Sequence, residues 1–398
     1  MKAFRAAGKA LGCLFLLVLI AVLVSGVSPV YDFPRPTPFS GPDIFDPYAK
    51  RDTAEAWKRA NFHTHTRVKG PMPWNECAVW PYPTYAAYRK LGYDILTFSN
   101  HNELTEHPFD SSLQVNVYEQ GYSPFKFHKL VFGSRKVKHF DPLLPLLASQ
   151  KQWELERLGR GSDFVQINHP YRTWGMSRRH MASLSGYELI ELDTGIGTEN
   201  EYWDWALSAG HYSFGLANDD LHKPNQTRRI GVRCNFLQTP SGRYEALKTC
   251  LADGCFYAMR VPDYGRGDWA VKIARNARLP EIRDIGLRDG RIVIRLSEKA
   301  DSIRVNGQDH AVLARAFDTD RLSYELQATE PYARITAFFP EGEVIYTQPF
   351  ARYDASAAAR PGLAAAPAVN LPLTILWNLL LLLLGAGCVV LLYQLLRK

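Results

Sequence analysis

Asn61-Phe62-His63-Thr64-His65-Thr66 is the stretch on which the reading of the whole chain turns. It reads as the end of a short strand. Side chains on a strand alternate faces, so His63 and His65 point the same way, about 7 Å apart along the chain. Two imidazoles on one face suit a divalent metal such as zinc, iron or manganese. By itself a His-x-His pair is more often an exposed turn or a hydrogen-bonded strand end. The residues downstream change that balance.

Ten of the eleven histidines fall between His63 and His222. Several directly follow an apolar run. Residues 93–98 lead to Asn100-His101-Asn102, residues 163–167 to Asn168-His169-Pro170, and residues 212–217 to Asn218-Asp219-Asp220-Leu221-His222. A shorter run precedes Glu119, and His128 opens the run 129–132. Polar groups at the carboxyl ends of successive strands are how a parallel β/α barrel builds a site. Asp220 and His222 repeat the same-face spacing of the first pair, and Asp220 rather than Asp219 has the right spacing to His222.

In the order and spacing of these pieces, residues 58–265 resemble the PHP (polymerase and histidinol phosphatase) superfamily of metal-dependent phosphoesterases. The resemblance implies a distorted, TIM-like β/α barrel that hydrolyses a phosphoester through two or three divalent ions, zinc, manganese or iron. It implies that His63, His65, Glu119 and Asp220 hold one ion. A second is implied on Glu119, His128 and His169, bridged by Glu119, and a third on His101 and His222. No catalytic residue separate from these ligands is implied. One departure stands out: the family places an acid about five residues past the second histidine, where this chain reads Thr66-Arg67-Val68-Lys69-Gly70. Lys69 is therefore a candidate to offer its ammonium to a phosphate in place of the third ion. Arg172 and Lys223, with Arg228 and Arg229, are further candidates to grip phosphate, and Glu191 a candidate to support the ligands from behind. The runner-up is a catalytically silent metal-binding or accessory membrane protein that keeps the fold. His107, His139, His180 and His211 match no motif and read as structural or exposed.

Length and composition frame this reading. A chain of 398 residues is long enough for two domains with a sizeable core. Its 46% hydrophobic and 22% charged residues exclude wholesale disorder. The formal charge of +7 is scattered among acids, and no module for sequence-specific nucleic-acid binding is legible. Residues 11–27 and 373–395 are almost uninterruptedly apolar. The second is long enough to span a bilayer, and the first reads as a signal anchor or a cleaved signal peptide. Lys2, Arg5 and Lys9 before the first, and Arg397 and Lys398 after the second, place both termini in the cytoplasm. The rest then lies on the periplasmic or outer side of a bacterial-type inner membrane. Cys77, Cys234, Cys250 and Cys255 are open to two readings, two disulfides or buried thiols.

The expected organisation is an N-terminal anchor over 1–29, a connector over 30–57, the metallohydrolase domain over 58–265, and a small all-β sandwich over 266–350. An Ala/Pro-rich tether over 351–372 and a transmembrane helix over 373–396 complete the chain. Helices are expected at 83–91 ending on Gly92, 143–158 ending on Gly159, 199–209 and 244–253 ending on Gly254. The sandwich rests on the polar–apolar alternation of residues 291–296, 302–305, 324–326 and 333–339.

Overall fold

The computed structural model describes residues 2–68, 77–192, 200–362 and 365–397. The chain is a mixed α/β protein built on two sheets, with an apolar helix at each end. The larger sheet has eleven strands and the smaller five. The smaller runs in the order Val117–Gln120, Lys129–Phe132, Phe164–Ile167, Leu189–Glu191, Phe214–Leu216. Its first three strands are antiparallel and its last three parallel.

Among the described residues the strands do not close into the expected barrel. The two sheets meet through isolated bridges, His101 with Glu119 and Thr64 with Leu221, both at the end where the candidate ligands gather. A parallel barrel needs a long crossover after each strand. Here residues 121–128 join Val117–Gln120 to Lys129–Phe132 by a hairpin loop, too short for a crossover helix. Gly121 makes the loop possible: its φ is 141°, and a Cβ there would lie 2.5 Å from His128 Cδ2.

The alternating strands of the C-terminal half are present, but they are not hydrogen-bonded as a sandwich of their own. Val344–Thr347 pairs with Phe256–Arg260, so the hairpins beyond residue 281 continue the same sheet that contains Lys58–Asn61. Alternation reveals a strand and not its partner. Short pairings also recruit the expected connector and tether: Asp43–Phe45 pairs with Phe350–Tyr353, and Tyr31–Asp32 with Ala368–Val369. Strands of two to four residues leave no period to read.

Three helices fall near their expected places, Pro81–Lys90, Glu201–Ser208 and Tyr244–Asp253. Gly92 (φ 81°) and Gly254 (φ 84°) follow two of them in the left-handed region. The helix expected from residue 143 begins only at Ala148. Pro145 keeps the residue before it out of the helical region, and the Gln150 side chain accepts the Leu147 N–H at 3.1 Å to start the helix there. All six cysteines are free thiols.

The terminal helices Lys2–Ser25 and Leu371–Arg397 lie antiparallel. Lys9 Nζ meets the Leu396 carbonyl at 3.2 Å, and a Cβ on Gly12 would lie 3.0 Å from Leu395. At the other end Trp377 Nε1 donates to the Gly26 carbonyl (3.2 Å). Ser28 N–H donates to Asn378 Oδ1 (3.1 Å), and Val30 N–H to Thr374 Oγ1 (2.9 Å). Both helices are long and apolar enough to cross a membrane.

A buried ion pair ties the two halves of the fold together. Arg334, on Tyr332–Phe338, donates from Nε to Asp204 Oδ1 at 2.7 Å, and His310 Nδ1 lies 3.0 Å from Asp204 Oδ2. Burial opposes ionising Asp204; Arg334 and His310 outweigh it and hold its carboxyl below the usual range. Replacing one partner strands a buried charge. Arg334→Met in the detergent-solubilised full chain is therefore expected to lower the unfolding free energy by about 3 kcal/mol at pH 7, read by urea titration. Because the folded-state pKa of Asp204 is depressed, the wild-type advantage is fully present at neutral pH and fades as pH falls below about 4. Equal stability of the two proteins at pH 7 would show that the pair holds nothing together.

Candidate metal centre

The candidate ligands lie on strands or in the turns just past them, except His128, which comes just before one. Lys58–Asn61 stops short of His63, but alternation continues, because Asn218 Oδ1 accepts the Phe62 N–H (2.9 Å) and the Leu221 carbonyl accepts that of His65 (2.9 Å). Both imidazoles are buried and their Nε2 atoms are 3.2 Å apart. Glu119 is on Val117–Gln120, and His128 directly precedes Lys129–Phe132. His169 (φ 26°) and Asp220 (φ 48°) sit in turns with positive φ, where the chain bends sharply after a strand.

Glu119 is the hub. It is 1% exposed, and five imidazoles surround its carboxylate. Oε1 lies 3.2 Å from His63 Nε2, 3.3 Å from His128 Nδ1 and 3.3 Å from His169 Nε2. Oε2 lies 3.2 Å from His65 Nε2 and 2.9 Å from His101 Nε2. Asp220 Oδ1 lies 3.3 Å from Nε2 of both His63 and His65, and 3.7 Å from His222 Nδ1. Two groups of donor atoms are tight enough to share an ion: His63, His65, Glu119 and Asp220, and His101, Glu119 and His128.

His101 therefore gathers with Glu119 and His128. His101 and His222, its implied partner at a third ion, each stack on His65 (ring centroids 5.0 and 4.2 Å). His169 remains on Glu119 and within stacking distance of His63 (5.9 Å). Lys69 lies outside the described residues. Asp219 turns to other work: its carboxylate accepts the backbone N–H groups of Gly231, Val232 and Arg233 and the Tyr88 hydroxyl.

Two buried residues hold the ligands in place. Glu191 Oε1 accepts from His63 Nδ1 (2.8 Å) and Oε2 from the His169 N–H (2.9 Å), so one carboxylate orients two ligands. Asn168 donates from Nδ2 to Glu119 Oε1 (2.8 Å), while its own Oδ1 accepts the Leu130 N–H. The role of Asn168 was not read from the sequence, although its place directly before His169 was a usable signal.

The donor set fits a divalent cation. With Glu191 holding the Nδ1 proton of His63, the Nε2 lone pair points at oxygens of Glu119 and Asp220 and at Nε2 of His65. Converging lone pairs repel unless positive charge sits among them. The protein's own electrostatics say the same. Burial disfavours charge on His63, but Glu119, Glu191 and Asp220 raise its pKa well above the ordinary imidazole value. Burial likewise disfavours ionised Glu119 and Asp220, yet the surrounding imidazoles hold both well below the carboxylate range.

Beside the cluster, past Asp220 and His222, opens a cavity of about 580 Å³. Arg172, Lys223, Arg228, Arg229, Arg233 and Arg260 line it. Arg172 is ion-paired with Asp220 Oδ2, so its guanidinium lies beside the ligands, while Lys223 stands on the cavity wall.

In the order of its candidate ligands the chain resembles PHP-type metal-dependent phosphoesterases. No family model matches it, and no curated protein matches it. Among solved structures it is similar to a two-domain protein containing a predicted PHP-like metal-dependent phosphoesterase from Bacteroides vulgatus. The identity is 15%, over 80% of this chain and 100% of that one, with a TM-score of 0.39. So loose a superposition says nothing further about this chain.

The arrangement sets an expectation for metal binding. Glu119→Ala is expected to abolish binding of zinc or manganese to both donor groups. Glu191→Gln, which keeps shape and loses charge, is expected to weaken binding 10- to 100-fold, about the loss seen when such supporting partners are removed. Titration calorimetry reads both. An unchanged affinity in Glu191→Gln would remove Glu191 from any role in holding the ligands.

Proposed function

We propose that the chain is a membrane-anchored, metal-dependent phosphoesterase that hydrolyses a phosphomonoester or phosphodiester. The supporting observation is the convergence of five imidazoles and Asp220 on the buried Glu119, beside a cavity lined by six cationic side chains. His63, His65, Glu119 and Asp220 would hold one ion, and Glu119 with His101, His128 and His169 a second. Bound there, the ions supply a water of lowered pKa and neutralise charge on the phosphoryl oxygens.

The remaining work falls to the chain itself. Arg172, braced by Asp220, presents a guanidinium at the mouth of the cluster, where it neutralises a phosphate oxygen and fixes the ester's orientation. Lys223, Arg228 and Arg229 raise the local concentration of anionic substrate in the cavity. Glu191 and Asn168 keep the imidazoles and the Glu119 carboxylate from rearranging as charge builds up.

We place the folded part, residues 30–370, on the non-cytoplasmic side of an inner membrane. Antiparallel packing puts both termini at one end of the helix pair, in keeping with basic residues near each. A cysteine introduced at Gly342 is then expected to react with a membrane-impermeant maleimide once the outer envelope is opened. Labelling only after the inner membrane is lysed would reverse the placement.

Turnover is the decisive measurement. The manganese- or zinc-loaded full chain in detergent is expected to hydrolyse bis(p-nitrophenyl) phosphate or p-nitrophenyl phosphate. Glu119→Ala should cut kcat at least about 1,000-fold, and Arg172→Ala should raise KM about tenfold, ~1.4 kcal/mol of phosphate binding. Metal-loaded protein that turns over neither ester would favour the silent accessory reading, which the missing acid near Lys69 supports.

A further inference from the structure

The leucines released by the late start of helix Ala148–Gly159 are only partly covered by the protein. Leu143, Leu146 and Leu147 are 39%, 43% and 47% exposed. They lie where the N-terminal apolar helix enters the folded part. The Leu143 N–H donates to Ser25 Oγ, on the last residue of that helix, at 3.3 Å. Just beyond the helix, the Tyr31 N–H donates to Ser149 Oγ (3.1 Å) and the Tyr31 hydroxyl to Glu156 (2.9 Å).

From Leu143 a chain of contacts runs to the metal centre. Ser123 Oγ donates to the Leu143 carbonyl (3.1 Å), and the Ser123 N–H to Asp141 (2.7 Å). Ser123 belongs to the loop 121–128 that joins the strand of Glu119 to His128. In the same loop Phe125 stacks on Trp174, with ring centroids 4.5 Å apart and planes 17° from parallel, and its carbonyl accepts the Trp174 N–H (2.9 Å). Trp174 is 65% exposed and follows Arg172 by two residues, in the turn that carries His169. A strip of contacts thus links exposed leucines at the end of an apolar helix, through the loop 121–128, to an exposed tryptophan two residues from Arg172.

We propose that this strip lies in the interfacial layer of the bilayer the two helices cross, and that the substrate is the phosphorylated headgroup of a lipid held in that leaflet. The proposal rests on the phosphoesterase reading and its membrane placement. Continuity selects the occupant: Leu143 is hydrogen-bonded to the residue that ends an apolar helix, so whatever surrounds that helix end also meets the leucines. Exposed leucines, an exposed tryptophan and Tyr122, itself 37% exposed in the same loop, have the composition of a surface resting in the headgroup region. A headgroup at that depth needs no extraction from the membrane to reach Arg172, and the cationic cavity behind it matches its charge.

Two arms test this in the full chain reconstituted in phosphatidylcholine vesicles. In the first, a Leu146→Cys variant on a Cys13→Ser background carries the fluorophore NBD, and doxyl-labelled phosphatidylcholine is the quencher. Quenching at least half as strong as for a label placed within Leu371–Arg397 is expected; no quenching overturns the docking. In the second, vesicles contain phosphatidic acid or phosphatidylglycerol, and glycerol phosphate and glycerophosphoglycerol are the soluble counterparts. Hydrolysis of a vesicle lipid at least tenfold faster than its counterpart is expected. The ratio of vesicle to bis(p-nitrophenyl) phosphate turnover should also fall at least tenfold in a Leu143→Asp/Leu146→Asp/Leu147→Asp variant. Equal rates on lipid and soluble ester, or an unchanged ratio in the variant, overturn the lipid substrate. Failure on every ester, bis(p-nitrophenyl) phosphate included, overturns the phosphoesterase reading and the substrate with it, while the quenching arm still decides the docking by itself.

Discussion

A single carboxylate with almost no access to water organises the centre of this molecule. Glu119 could not remain ionised at 1% exposure without neighbours, and the imidazoles around it come from four separate stretches of the chain. That requirement explains much of the local architecture. The parallel bridge from His101 to Glu119 brings one sheet to the other. The hairpin 121–128 turns tightly enough for His128 to return to the strand it left. His169 and Asp220 accept positive φ because the sharp turns aim their side chains inward.

The supports of the site carry as much of the design as the ligands. Glu191 on Leu189–Glu191 reaches both His63 and His169, so strands from the two sheets are coupled through one side chain. Asn168 ties Glu119 to Leu130 within the smaller sheet. Farther out, Asp204 and Arg334 join helix Glu201–Ser208 to the C-terminal hairpins. The sheet of those hairpins is therefore part of the frame on which the site stands, even though no chemistry-bearing cluster was read in it.

What the sequence disclosed was local. Same-face spacing of His63 and His65, the glycines that end two helices, and the alternating strands beyond residue 290 all depend on neighbours a few positions away, and all are present. What it withheld was pairing. Nothing in Val344–Thr347 announces that it will lie beside Phe256–Arg260, and nothing in His101 says that it will gather with Glu119 and His128. Those outcomes depend on how the sheets twist toward each other, a property of the whole fold. Arg172 is an intermediate case: nearness to His169 in sequence marked it, but only the fold pairs it with Asp220.

The latch between the terminal helices bears on how the protein is made. Asp32 and Asn370, hydrogen-bonded to each other, are 338 residues apart in sequence. During synthesis the first helix leaves the ribosome long before its partner exists, so Ser28 and Val30 must wait through nearly the whole of translation for Asn378 and Thr374. Closing so large a loop is slow and entropically costly, and it falls last in the order of events. A chain that stalls before residue 370 can fold its sheets but cannot fasten its stalks. Pairing of the two apolar helices is thus a late step that the order of the sequence itself imposes.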